Sequence, residues 1–305
     1  MSLIKSVIKS IILKAYKYHA RMKLSQLRNI GNSTADKIEN AIQGIMKNNL
    51  DPEEMNWIDR IEEKRSLLNS SLKKISITDY GAGDPNYNLS ENEMYQGVNL
   101  ETTVGKICST GSKTYFWSLL LFKLIREFKP LTIVELGTCL GISGSYQASA
   151  QKLNNSGQLI TLEGAKSLVI LAEKTFHELN LDNVHVIGGR FQDNLDAVLN
   201  KYKPIDYAFI DGHHDEKATT FYFEKFIPYL TGSSVMVFDD ISWSDGMHNA
   251  WKTIIKNKKI KISLDLREIG ICIFDDLLKG KYNFKIPLFT SMTLYKKKYA
   301  GQISA

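Results

Sequence analysis

Apolar residues follow two rhythms along this chain. Over roughly its first 128 positions they recur every three or four residues, the period of a helix with one buried face. Within residues 1–28, Leu3, Ile4, Val7, Ile8, Ile11, Ile12 and Ala15 keep that spacing. In 34–48 the stripe is Ile38, Ala41, Ile42 and Ile45. Asp51-Pro52-Glu53-Glu54 then supplies a cap, a first-turn proline and first-turn acids. These open a third helix running to about Leu72, with Met55, Ile58, Ile61 and Leu68 inside. A short extended piece covers 73–79, and Gly81-Ala82-Gly83-Asp84-Pro85 breaks the chain. A further helix over 114–128 buries Trp117, Leu120, Leu121, Leu124 and Ile125, and Lys129-Pro130 ends it.

From residue 132 the rhythm changes. Short continuous apolar runs, of the kind that form strands buried on both faces, occupy 132–136, 158–162, 183–187, 206–210 and 234–238. Helical stretches such as 165–179 and 219–229 separate them. Strands alternating with helices predict a doubly wound α/β sheet, mainly parallel. The tail adds two strands, 259–265 and 268–274, joined by a tight reversal that makes an antiparallel pair.

Candidate chemistry sits where these strands end, as the ligand rule for open α/β sheets predicts. After 132–136 come Gly137, Gly141 and Gly144, then Ser145-Tyr146-Gln147, which reads as a helix start. Glycines there admit close backbone approach, and a helix N-terminus offers free N–H groups. The spacing is E-x-G-x-x-x-G, and the acid Glu135 would repel a pyrophosphate but suits a cationic ligand. A purely structural glycine turn is the competing reading. Glu163 ends the second strand, 22 residues past Gly141, where an acid can accept hydrogen bonds from both ribose hydroxyls of an adenosine or, alternatively, cap the next helix. The loop Gly188-Gly189-Arg190-Phe191-Gln192-Asp193 suits an adenine edge. The fourth and fifth strands end in Asp211-Gly212-His213-His214 and Asp239-Asp240. Three acids converging without a matching basic cluster call for a cation, and oxygen donors favour Mg²⁺ first. A helix cap at Asp239-Asp240 and a transition-metal site using His213 or His214 are the alternatives.

Composition narrows the class. With 305 residues the chain is long enough for one catalytic domain plus an extension. A hydrophobic fraction of 43% and a charged fraction of 24% are those of a globular protein. The net charge of +6 does not by itself call for nucleic acid, and much of the excess lies in 1–28, which has seven Lys and Arg and no acid. That segment is a basic amphipathic helix. It can pack on the domain or a partner subunit, lie on an anionic membrane surface, or form an unstructured arm. Asp84-Pro85-Asn86-Tyr87 resembles the D-P-P-Y motif of nucleic-acid amino-methyltransferases but lacks its second proline, so it reads as a turn. Cys108, Cys139 and Cys272 are widely spaced and predict free thiols. No apolar run reaches the roughly 18–20 residues that span a bilayer. The expected location is cytoplasmic, with peripheral contact at the inner face of a membrane through 1–28 as a variant.

The motifs V-E-L-G-T-C-L-G-I-S, T-L-E-G, G-R-F-Q-D, F-I-D-G-H-H and F-D-D-I, in that order, carry a family resemblance. From about Cys108 to Phe274 the chain resembles class I S-adenosylmethionine-dependent O-methyltransferases. The resemblance is to the metal-dependent catechol O-methyltransferase-like group, which includes sugar O-methyltransferases. It implies a Rossmann-like, doubly wound seven-stranded sheet whose last strand is antiparallel. It places the methyltransferase domain at 108–305 and leaves 1–107 as a helical N-terminal extension with lid or dimer helices and a Gly/Asp loop at 81–88. It implies S-adenosylmethionine contacts from Glu135, Gly137, Thr138, Gly141, Ser143, Glu163, Gln192 and Asp211. It further implies Mg²⁺, or another divalent cation, on Asp211, Asp239 and Asp240. The catechol enzymes have Asn where this chain has Asp240, whereas the sugar enzymes have Asp, which favours a sugar or other small-molecule hydroxyl as acceptor. Their lysine three residues after the first metal acid is His214 here, and an acid that some sugar enzymes use two residues after it is His213. Imidazole titrates near neutrality, so His214 is the first candidate base and His213 the second. The competing classes are a non-catalytic cofactor-binding or membrane-associated protein on the same fold and a nucleic-acid methyltransferase. A homo-oligomer is compatible with all of these.

Overall fold

The computed structural model describes residues 2–81 and 89–289, with the backbone alone for 2–13 and Glu91. The expected turn at Asp84-Pro85-Asn86-Tyr87 lies outside the described residues.

Local sequence sets the N-terminal helices. Helix α1 spans Ser2–Arg28. Asn32 opens α2 (Ser33–Lys47) by accepting from the N–H groups of Thr34 and Ala35, and Asn48 ends it in a left-handed conformation. Asp51 and Glu54 form a reciprocal capping box on α3 (Pro52–Asn69). Strand β1 (Lys74–Asp79) pairs antiparallel with β2 (Val98–Thr103) across a short helix α4 (Glu91–Gln96). Then come α5 (Val104–Gly111) and α6 (Tyr115–Phe128).

The main sheet follows as β3 (Thr132–Leu136), α7 (Ile142–Leu153), β4 (Gln158–Glu163), α8 (Lys166–Glu178), β5 (Val184–Gly188), α9 (Phe191–Tyr202), β6 (Ile205–Ile210), α10 (Glu216–Phe226), β7 (Leu230–Phe238), α11 (Asp245–Ile254), β8 (Ile260–Asp265), β9 (Gly270–Phe274) and β10 (Tyr282–Lys285). Its strand order is β10-β8-β9-β7-β6-β3-β4-β5. The strands from β5 to β7 are parallel, and β9 runs antiparallel to both β7 and β8. The seven expected strands are therefore β3 to β9, with the last antiparallel. An eighth, β10, extends the edge beside β8. Its sequence Tyr-Asn-Phe-Lys alternates half-buried and exposed side chains. It therefore lacks the continuous apolar run that marks the central strands.

The expected boundary at 107/108 falls inside α5. The helices before it share one apolar core with the sheet: Leu24 and Leu27 of α1, Ile38 and Ile42 of α2 and Ile61 of α3 cluster with Leu120, Leu124 and Ile133. Helix α1 thus packs through its C-terminal half, and Tyr16 meets Phe289 edge-on at 4.7 Å between ring centroids. No helix among the described residues is long and apolar enough to cross a membrane.

Candidate active site

Parallel register brings the chemistry together. Leu136 pairs with Leu162 on one side and Ile210 on the other, and Ile210 pairs with Phe238. The residues one step further, Gly137, Glu163, Asp211 and Asp239, therefore stand side by side at the C-terminal edge. The ladder continues into them: Gly137 donates its N–H to the Leu162 carbonyl, Asp211 to Leu136 and Asp239 to Ile210. Chain order reverses around β3, the usual ligand crevice of such sheets.

A cavity of about 200 Å³ opens there. Gly137, Cys139, Glu163, Asp211 and His214 face it from the sheet, and Asp79, Tyr80 and Gly81 face it from the end of β1. Gly137 has φ +103°, and a Cβ on it would lie 1.9 Å from the Asp211 carbonyl oxygen. Only glycine fits where these two strand tips touch. Glu163 accepts from the N–H groups of Cys139 (2.8 Å) and Ala165 (2.9 Å). Burial nevertheless pushes its carboxyl up to about 7, with Asp79 adding to the shift.

Several predicted cofactor residues lie behind this surface. Glu135 is fully buried, accepting from Gln147 and from Thr161, each at 2.6 Å, and burial pushes it to about 7. Ser143 also bonds to it, and the Thr138 hydroxyl bonds to that of Thr161 at 2.6 Å. These five groups form a buried network under the glycine turn and do not line the cavity. Gly141 does not line it either: a Cβ there would strike the Phe176 ring at 2.9 Å, so its glycine makes room for α8. Gln192 reaches His213 (3.2 Å between Nε2 atoms) and is absent from the cavity wall.

The two histidines separate sharply. Both have positive φ, 66° and 49°, a backbone region that non-glycine residues seldom adopt. His213 is buried, with Nδ1 2.9 Å from the Tyr222 hydroxyl and Nε2 on Gln192. Burial lowers its pKa to about 4 and keeps the ring neutral. Both of its ring nitrogens have partners, and although His213 also borders the cavity, His214 is the more available of the two candidate bases. His214 is half-buried, with Nε2 3.7 Å from Asp211 and Nδ1 3.6 Å from Asp240. Trp243 stands 5.7 Å from its ring, while Trp251 is buried against Gly270 and Phe238.

Among the described residues, the group whose donor atoms lie close enough to share a metal ion, all within 4.8 Å of one another, is Asp211, His214 and Asp239. Asp240 is not in that group; its φ of 52° turns it toward His214. The expectation of acids without a basic partner is also corrected. Lys113 forms an ion pair with the Asp239 carboxylate, and its Nζ lies 3.6 Å from Asp211. Burial raises the Asp211 pKa, and Lys113 and His214 oppose that rise. Lys113, Asp79 and Tyr80 are site residues that sequence periodicity does not reveal. Lys113 sits in an otherwise ordinary Ser-Lys-Thr turn before α6, and Asp79 and Tyr80 come from the extension.

Residues 134–241 match the family described as "Methyltransferase domain". This segment, which runs from β3 to the end of the Asp239-Asp240 turn, is a methyltransferase domain. Among solved structures, an O-methyltransferase from Bacillus cereus in complex with SAH is similar at 22% identity and TM-score 0.46, covering 54% of this chain and 83% of that one. The O-methyltransferase TomG from Streptomyces achromogenes, involved in tomaymycin synthesis and complexed with SAM, is similar at 19% identity and TM-score 0.47, covering 54% and 82%. A SAH-bound methyltransferase from Podospora anserina is similar at 14% identity and TM-score 0.48, covering 54% and 80%. No curated protein matches the chain in sequence.

Proposed function

We propose that this chain, whose residues 134–241 are a methyltransferase domain, transfers a methyl group from S-adenosylmethionine to a hydroxyl of a small molecule or sugar. A divalent cation, Mg²⁺ first, assists at the acid cluster. The observation that carries the reading is the juxtaposition, in one cavity, of the Gly137 turn and Glu163 with Asp211 and His214. The first pair suits a nucleoside, and the second suits a hydroxyl that must lose a proton.

When bound, the sulfonium cofactor would supply an electrophilic methyl carbon on a C–S bond whose electron pair sulfur can accept. The protein must aim the acceptor oxygen along the line of that bond and take its proton. Glu163 would hold the ribose hydroxyls, fixed by the two N–H groups it already accepts from. His214 would take the acceptor proton, with Asp211 and Asp240 on either side to stabilise the resulting imidazolium. The donor set fits a divalent ion: Asp211 and Asp239 would hold it, with water and acceptor oxygens completing the shell. The ion would supply Lewis acidity to the acceptor hydroxyl.

Two results follow. A carboxylate accepts from ribose hydroxyls better than a carboxylic acid does, and Glu163 ionises only near 7. Affinity for S-adenosylhomocysteine should therefore rise with pH, being about tenfold weaker at pH 6 than at pH 8. Glu163→Gln should weaken binding and flatten that slope, because its amide would face two N–H donors with at least one N–H of its own. Calorimetry across the pH range checks this, and an unchanged slope in the variant would remove Glu163 from the binding role. The second result concerns the base. His214→Ala should lower kcat/KM by about 10²–10³-fold while leaving divalent-ion affinity within about twofold. A parallel loss of ion affinity would make His214 a ligand instead. His213→Ala should act on the melting temperature, through the lost Tyr222 and Gln192 contacts.

A further inference from the structure

A cation already stands at the carboxylate cluster. Lys113 Nζ is ion-paired with Oδ2 of Asp239 and lies 3.6 Å from Oδ1 of Asp211, the same oxygen that faces His214. The Asp239 side chain is 1% exposed and that of Lys113 15%. A carboxylate buried to that degree is not left without a counter-charge. Lys113 is also held at its backbone. Its carbonyl accepts from Arg65 Nη1 at 2.5 Å and from the Ser118 hydroxyl at 3.2 Å. Arg65 is fixed in turn by Glu62 at 2.9 Å, and Glu62 by Tyr146 at 2.7 Å. The main chain at Lys113 is therefore anchored to α3, while the four-carbon side chain keeps rotatable bonds and ends in a compact, readily hydrated ammonium.

We infer that Lys113 and a divalent cation are alternative occupants of the Asp211–Asp239 carboxylates, so that the ion enters only by displacing the lysine ammonium into the cavity mouth. This rests on the reading above that the cluster takes a divalent ion. The geometry leaves little room for both, because two cations sharing the same carboxylate oxygens repel strongly in a site so poor in water. The Arg65 contact makes the N-terminal extension part of the device. Helix α3 sets where the lysine starts from.

The test uses the full-length protein and Mn²⁺ as the probe, with free ion followed by electron paramagnetic resonance. Lys113→Met should bind Mn²⁺ at least tenfold more tightly than the native chain. Its melting temperature should fall in chelator and recover with Mn²⁺ by more than the native protein gains. Because that variant leaves Asp239 unpaired and is at risk of misfolding, native protein supplies a second readout. Reductive methylation of Lys113, read by mass spectrometry, should be slow in chelator and several-fold faster with saturating Mn²⁺. Equal Mn²⁺ affinity in the two proteins, no Mn²⁺ binding to either, or bound Mn²⁺ with unchanged Lys113 labelling would each overturn the inference. S-adenosylmethionine binding is measured in the same samples. Its loss would count against the methyltransferase reading, whereas normal cofactor binding with Mn²⁺ results of the overturning kind would sink the lysine–metal exchange alone.

Discussion

Gly137→Ala is expected to abolish cofactor binding and to destabilise the fold by about 2–5 kcal/mol, combining steric overpacking with an alanine held at positive φ. The added Cβ would sit 1.9 Å from the Asp211 carbonyl oxygen and 2.9 Å from its carbonyl carbon. Both are backbone atoms, and both strands are tied on each side by parallel ladders. Relief must therefore come from splaying β3 from β6, and that movement carries Asp211 away from Asp239. Gly141→Ala makes the contrast. Its φ of +80° is also strained, but its clash is with the Phe176 ring, a side chain that can turn. Urea titration with S-adenosylmethionine calorimetry on both variants checks the order. A Gly137→Ala protein that binds cofactor normally would contradict the account of the strand-tip contact.

Asp239→Asn is expected to lower methyl transfer by about 10²–10³-fold, the range seen when one preorganised electrostatic group is removed from a site. Cofactor affinity should stay within a few-fold, because Asp239 does not line the cavity that holds Glu163. The substitution removes one charge from the pair that balances Lys113 and one donor of the group suited to an ion. Asp240→Asn should cost far less. Its side chain is 31% exposed, and it faces His214 without joining the donor group. Single-turnover rates for the two variants decide this, and equal losses would restore Asp240 as a full metal ligand.

The sheet and the location of the site were readable because parallel strands buried on both faces leave short apolar runs, and the residue after each run lands at one edge. Glu163, Asp211 and Asp239 come together for that reason alone. What was not readable depends on which way neighbouring side chains turn. His213 and His214 are adjacent, yet the left-handed backbone sends one into the Phe191–Tyr222 packing and leaves the other between two carboxylates. Glu135 stands beside the glycine turn in sequence but points into a hydrogen-bonded core. Lys113 and Tyr80 reach the site across long sequence separations, through packing of α3 and β1 that no local period encodes. Tyr80 lies so close over Gly164 that a Cβ there would be 2.6 Å from its ring. The extension is thus a wall of the site as well as part of the core.

The central claim is that the cavity beside Gly137 and Glu163 binds S-adenosylmethionine for transfer to a hydroxyl held near Asp211 and His214. Its most direct test is calorimetric titration of the full-length chain with S-adenosylmethionine, repeated in Mg²⁺ and in chelator. The account predicts one site with a Kd on the order of micromolar, a binding free energy of about −8 kcal/mol, weakened at least tenfold by Glu163→Gln. No binding in either condition, or binding indifferent to Glu163, would contradict it.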